Sequence, residues 1–179
     1  MWVRRVRRAD FLTIKNSCSS HHRLGFRPGV STHKIVQICE TTSKAGATVY
    51  LDTNSLIYLT EGNPAFKACI EKLFSEFEKA QAQFVTSELA LTEVLVHPLR
   101  RHDAALVAIY ERLFDTLVRP LPVSREVLIY AAQLHADTPN LLMPDAIHLA
   151  TATLAKAGAF VSGDAGIKEL PEFMQRFSI

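Results

Sequence analysis

The stretch VYLDTNSLIYL, Val49 to Leu59, decides how the rest of the chain is read. An apolar run rich in strand formers, Val49, Tyr50 and Leu51, ends abruptly in a single carboxylate, Asp52. Thr53, Asn54 and Ser55 follow, and their short polar side chains suit turns and helix starts. Apolar residues then resume at Leu56, Ile57 and Leu59. The pattern is that of a buried strand, ATVYLD, passing straight into a short helix, SLIYLTEG, closed by Gly62. An acid at the end of such a strand is costly to desolvate, and that cost points to a use.

The same alternation continues downstream. Pro64 is expected to open a second helix to about Ala80, with Phe66, Ile70, Leu73, Phe74 and Phe77 along one face. FVTS, Phe84 to Ser87, reads as a second strand, and Ser87 is placed to cap a helix that runs to a break at Pro98. Asp103 is the expected cap of the next helix, whose apolar face carries Leu106, Ile109, Tyr110 and Leu113. LVRPLPV, Leu117 to Val123, reads as a third strand held near an edge by Pro120 and Pro122. Ser124 should cap a helix to about Ala136, and Pro144 should open another to Ala157 that Gly158 stops. AFVS, Ala159 to Ser162, is a fourth strand, and RFSI at the end is a candidate fifth. Strands separated by helices imply right-handed parallel crossovers, hence an α/β fold: a three-layer α/β/α sandwich with a mainly parallel central sheet of four to five strands. Ligands in such sheets bind beyond the carboxyl ends of the strands, where the strand order reverses.

Of 179 residues, 48% are hydrophobic and 21% charged, which suits one globular domain. That domain is expected at residues 47–179. Residues 1–47 hold 9 Lys+Arg against 2 Asp+Glu, a net +7, while the rest of the chain holds 11 against 16, a net −5. An acidic body meets a polyanion only through local basic patches or bound cations. Residues 1–46 sustain no period of 2 or 3.6 and are expected to be a poorly ordered basic extension. The other readings of this segment are a basic arm for RNA or an acidic surface, a mitochondrial-type presequence, and a reading frame opened too early. For the last of these, Val49, which a GTG start would encode, directly precedes YLDTN. Cys18, Cys39 and Cys69 show no C-x-x-C spacing, so neither a disulfide framework nor a zinc site is suggested, and a reducing, cytoplasmic compartment is expected. No stretch approaches the roughly 18 uninterrupted apolar residues of a membrane span.

Asp52 ends the first strand, and Asp164 follows the fourth in FVSGDAG, which places both at one rim. Asp145 lies in the first turn of a helix behind Pro144, where unpaired N–H groups and the helix dipole favour its charged form. Glu93 lies inside SELALTEVLV, flanked by Val94 and Leu95. If these four acids converge, pairs about 4 Å apart repel by roughly 1 kcal/mol in water and several times more in a partly dry cleft, which a divalent cation relieves. Carboxylate ligands without a His or Cys cluster select hard ions such as Mg²⁺ or Mn²⁺. A metal-bound water can then attack a phosphodiester.

In order and spacing, YLDTNSLIY, SELALTEVLV, MPDAIHLATA and FVSGDAG resemble the four acidic motifs of PIN-domain nucleases, most closely the VapC-type toxins of toxin–antitoxin pairs. The resemblance covers Val49 to the C-terminus. It implies a Mg²⁺- or Mn²⁺-dependent ribonuclease whose metal ligands and catalytic residues are Asp52, Glu93, Asp145 and Asp164, with Asn54 and Ser162 at supporting polar positions. It also implies an RNA substrate, a cognate antitoxin and a homodimer that could use part of the Phe66, Leu73, Phe74 and Phe77 stripe.

Other residues admit two readings each. Glu88 competes with Glu93 but is explained by a first-turn dipole interaction. His148, one turn after Asp145, is either a packed histidine or a substrate contact or proton carrier. Arg100 and Arg101 are either solvated charge or a phosphate track for RNA. Two rival functions stand beside the nuclease. One is an aspartyl-phosphate hydrolase of haloacid dehalogenase type, against which Asn54 weighs, since such enzymes place a second acid there. The other is a catalytically idle binding module.

Overall fold

Val49, Tyr50 and Leu51 are almost wholly buried, as residues of a strand covered on both faces must be. The computed structural model describes residues 47–62, 75, 81–163, 171–172 and 174–178. In it those three residues belong to β1 (Thr48–Leu51). The other strands are β2 (Gln83–Ser87), β3 (Arg119–Leu121), β4 (Ala159–Ser162) and β5 (Gln175–Ser178). They form one sheet in the order β3-β2-β1-β4-β5, and every pairing is parallel. β3, with Pro120, lies at an edge, where a missing N–H does least harm. The chain builds outward from β1 through β2 to β3 and then returns to β1's other side with β4. The strand order therefore reverses between β1 and β4, at the carboxyl ends marked by Leu51 and Ser162.

The described helices are α1 (Thr53–Glu61), α2 (Leu89–Arg100), α3 (Ala104–Thr116), α4 (Arg125–Asp137) and α5 (Met143–Leu154). Two cores follow from the strand alternation. Val49, Leu51, Phe84, Ala159 and Val161 point to one face and pack with Leu56, Leu59, Ala90, Val94, Tyr110 and Leu113 of α1, α2 and α3. Tyr50, Val85 and Phe160 point to the other and pack with Val127, Ala131, Ala146, Leu149 and Ala150 of α4 and α5. This is the expected α/β/α sandwich, with five parallel strands. The small residues of α5, Ala146, Ala150 and Ala152, let its backbone lie close to the sheet.

Local chemistry sets most boundaries. Asp103 accepts from the Leu106 N–H at 3.0 Å, and Ser124 from the Val127 N–H at 3.3 Å, so both expected caps are made. Ser87 takes the Leu89 N–H at 3.2 Å, although Glu88 occupies the residue before α2. Two expected stops lie elsewhere. α2 does not break at Pro98 but runs on to Arg100, because a proline in the last turn removes only one N–H from the ladder. Pro98's own carbonyl accepts from Arg101 and Asp103, at 3.2 and 2.9 Å, and closes the end. α5 ends at Leu154 rather than Ala157, and Lys156, at φ 52°, takes the left-handed position expected of Gly158. Ala157 N–H then reaches Ala152 O at 3.0 Å, and Lys156 N–H reaches Thr153 O at 2.9 Å, a Schellman closure. The basic extension at residues 1–46, the helix expected from Pro64 to Ala80 with its aromatic stripe apart from residue 75, and Asp164 lie outside the described residues.

Candidate active site

Asp52 continues the sheet for one residue, its N–H bonding Val161 O at 3.1 Å, and then becomes the N-cap of α1. The residue is 5% exposed. Oδ1 accepts from the Ser55 N–H at 2.8 Å, and Ser162 Oγ donates to Oδ2. Ser55 Oγ lies 2.7 Å from both Asp52 Oδ1 and Val161 O, but its single proton serves one acceptor at a time. Burial pushes the Asp52 carboxyl above the usual range, and bonds from Ser162 and Ser55 with the nearby His148 charge only partly offset it. The described residues thus stabilise the buried anion incompletely, and a cation at the rim would supply the remainder.

Glu93 reaches the same rim from α2. Thr53, the residue after Asp52, donates its hydroxyl to Glu93 Oε2, and His148 Nε2 lies 2.9 Å from the same oxygen. Burial alone would raise the Glu93 carboxyl, but the bonds from His148 and Thr53 and the His148 charge outweigh it and hold it below its ordinary value. Asp145 is half-buried in the first turn of α5, and His148 follows it by three residues, on the same helix face. The structure therefore brings Asp52 and Glu93 to the carboxyl end of β1, linked through Thr53, and ties Glu93 to α5 through His148. Ser162 sits beside Asp52, fully buried.

Other expected residues are placed differently. Asn54 is exposed, whereas its neighbour Ser55 is buried against Asp52. The cap rule held the signal, since an N-cap carboxylate bonds the residue three positions on. His148 is 3% exposed, which fits a packed histidine. Glu88 is exposed at the start of α2, and Arg100 and Arg101 are exposed at its end. Arg100 lies seven residues after Glu93, two turns along the same side of the helix.

Among the described residues no group of three His, Cys, Asp or Glu side chains is arranged to hold a metal ion as placed. The donor chemistry nevertheless fits a hard dication. Mg²⁺ commonly keeps several waters and binds through one or two carboxylates. Asp52 is acceptor-only and under-solvated, and both Glu93 bonds among the described residues fall on Oε2 rather than Oε1.

A family model described as the PIN domain matches residues 49–172. The chain belongs to the PIN-domain family. The PIN fold is also seen in two solved structures. A chain titled "Toxin-antitoxin complex from Klebsiella pneumoniae" is 23% identical, with TM-score 0.51, covering 73% of this chain and 99% of that one. A chain of VapBC2 from Rickettsia felis, bound to a DNA fragment from its promoter, is 14% identical, with TM-score 0.58, covering 74% and 98%. No functionally curated protein matches the chain significantly. PIN membership removes the footing of the dehalogenase-type reading.

Gly163, between Ser162 and Asp164, packs tightly in this PIN domain. A Cβ added there would lie 2.8 Å from Tyr58 Cε2 and 3.5 Å from Asn54 Cβ. A ring carbon of α1 cannot give way cheaply, so Gly163→Ala is expected to cost about 1–3 kcal/mol. Urea denaturation checks this, and an unchanged midpoint would show that Tyr58 swings aside.

Proposed function

We propose that this PIN domain is a Mg²⁺- or Mn²⁺-dependent endoribonuclease that acts as the toxin of a toxin–antitoxin pair and hydrolyses RNA phosphodiester bonds. The observation that carries the proposal is the meeting of Asp52 and Glu93, linked through Thr53, at the strand reversal of a PIN fold. Asp52, Glu93, Asp145 and Asp164 are the proposed metal ligands. When bound, the cation supplies an activated water and neutralises phosphate charge.

The protein's own contribution is orientation. Ser162 and Ser55 hold the Asp52 carboxylate, and α1's N-terminal N–H groups face it, so its geometry is fixed before a cation arrives. Asn54, exposed beside Asp52, is proposed to support the occupied site. Arg100 and Arg101 extend the cleft side of α2 with positive charge and are the proposed phosphate contacts, which an otherwise acidic body requires.

Toxin–antitoxin complexes among the fold neighbours support a protein partner for the same cleft, with basic side chains suited to its carboxylates. A homodimer and a cytoplasmic setting belong to the same proposal. No described helix is long and apolar enough to cross a membrane.

The test is cleavage of a structured RNA by purified protein with Mn²⁺, with and without chelator, and by Asp145→Asn. Cleavage that requires the metal and falls by at least about a hundredfold in the variant is expected, since a lost ligand should cost no less than a lost supporting partner. Full activity of Asp145→Asn contradicts the assignment. A protein that binds a partner but neither binds Mn²⁺ nor cuts RNA in its presence favours the idle-module reading.

A further inference from the structure

Behind Glu93 stands a buried imidazole that has no place in the proposed ligand set. His148 is 3% exposed, and both of its ring nitrogens are engaged. Nδ1 lies 2.7 Å from the Tyr50 hydroxyl, and Nε2 lies 2.9 Å from Glu93 Oε2 and 3.2 Å from Thr53 Oγ1. Tyr50 is fully buried. It meets the imidazole edge-on, with centroids 5.9 Å apart at 72°, and stacks on Phe160 at 5.0 Å and 11°. The imidazole is therefore fixed at one end by the sheet and delivers its other nitrogen to a helix on the opposite side of β1. Glutamate alone has three side-chain torsions and would sample several rotamers at a half-open rim. Grip from two donors on one oxygen removes that freedom, and no described residue bonds the second oxygen.

We propose that His148 is a positioning residue for Glu93: together with Thr53 it clamps Oε2, so that Oε1 is presented to the cation. The inference rests on the metal-dependent reading above, and it gives the buried histidine a task distinct from touching RNA. Partners of this kind orient a ligand and raise its donor strength, and their loss typically weakens metal binding by about 10–100-fold.

The experiment has two arms on the full-length protein. In the first, chemical denaturation of metal-free wild type, His148→Ala, Glu93→Gln and the double variant gives a thermodynamic cycle. Groups in direct contact are expected to couple by a factor of roughly 2–100 in the unfolding equilibrium. In the second, Mn²⁺ binding and RNA cleavage are measured for His148→Ala and His148→Gln. The alanine variant should bind Mn²⁺ about 10–100-fold more weakly and lose kcat with little change in KM. Glutamine, whose amide nitrogen can occupy the place of Nε2, should recover a large part of both and covers the case in which alanine fails to fold.

Absence of coupling overturns the inference, as does wild-type Mn²⁺ affinity in His148→Ala. A glutamine variant as weak as alanine, or a change confined to KM, also overturns it. Coupling in a wild-type protein that binds no Mn²⁺ at all overturns the metal reading itself and the positioning role with it, while the His148–Glu93 contact stands.

Discussion

Asp52→Asn is expected to abolish metal-dependent RNA cleavage and, at the same time, to raise the melting temperature of the metal-free protein. The two effects have one cause. Asp52 is buried with its negative charge only partly met by Ser55 and Ser162, and burial raises its carboxyl above the ordinary range. An acid raised on folding binds more protons in the folded than in the unfolded state. Its contribution to stability therefore falls as pH climbs from the ordinary carboxylate value through the raised one. Once the carboxylate is ionised, the folded protein carries that cost in full.

Asparagine keeps an oxygen for the Ser55 N–H and removes the charge. Its amide can donate to Ser162, whose hydroxyl also accepts. Each kcal/mol recovered should raise the melting temperature by about 2–4 °C in a domain of this size. The gain should shrink below the ordinary carboxylate range, where Asp52 is protonated in both states. Calorimetry at neutral and acidic pH, alongside a cleavage assay, reads both outcomes. A variant that loses stability at neutral pH would show that the charge is already well satisfied.

Glu93 has the opposite sign. Its carboxyl is held below the ordinary range once His148 and Thr53 outweigh burial, so it contributes stability above its unfolded value and loses it as pH falls through the folded one.

The second large effect is on stability and reaches the site indirectly. Phe160→Ala in β4 should cost about 3–5 kcal/mol, a fall in melting temperature of about 6–20 °C. Phe160 is fully buried, and its ring is the platform on which Tyr50 lies. Removing it opens a cavity beneath the tyrosine whose hydroxyl anchors His148. Phe160→Leu, which keeps most of the volume, should cost much less. Thermal unfolding of the two variants checks the difference, and equal losses would mean that ring stacking rather than volume dominates.

Much of this fold was legible because local rules agreed with one another. Val49 to Asp52 reads as a buried strand delivering an acid, and it is one. Asp103 and Ser124 cap as short polar side chains should, and β3 with Pro120 takes an edge. The failures have physical reasons too. Pro98 reads as a stop, but a proline in a final turn removes little and the helix keeps its end closed through Pro98's carbonyl. Gly158 reads as the close of α5, yet Lys156 accepts the left-handed backbone because a Schellman closure offsets its strain.

At the site, the sequence points to Asp52, Glu93 and Ser162, which the structure shows at the end of β1, but not to Ser55, which bonds Asp52. Which of two adjacent polar residues turns inward depends on helix phase from the cap, and Ser55 at the third position is the inward one. The link from Tyr50 through His148 to Glu93 joins residues 98 and 55 positions apart. No local pattern reports such a pairing, because packing of α2 and α5 on opposite faces of the sheet creates it.

Equilibrium titration of the full-length protein with Mn²⁺, followed by the metal's own magnetic signal, tests the central claim most directly. Saturable binding by wild type that is lost in Asp52→Asn and sharply weakened in Asp145→Asn is the predicted result. Binding of equal strength in all three proteins, or none in the wild type, would contradict a carboxylate metal centre at the β1–β4 reversal.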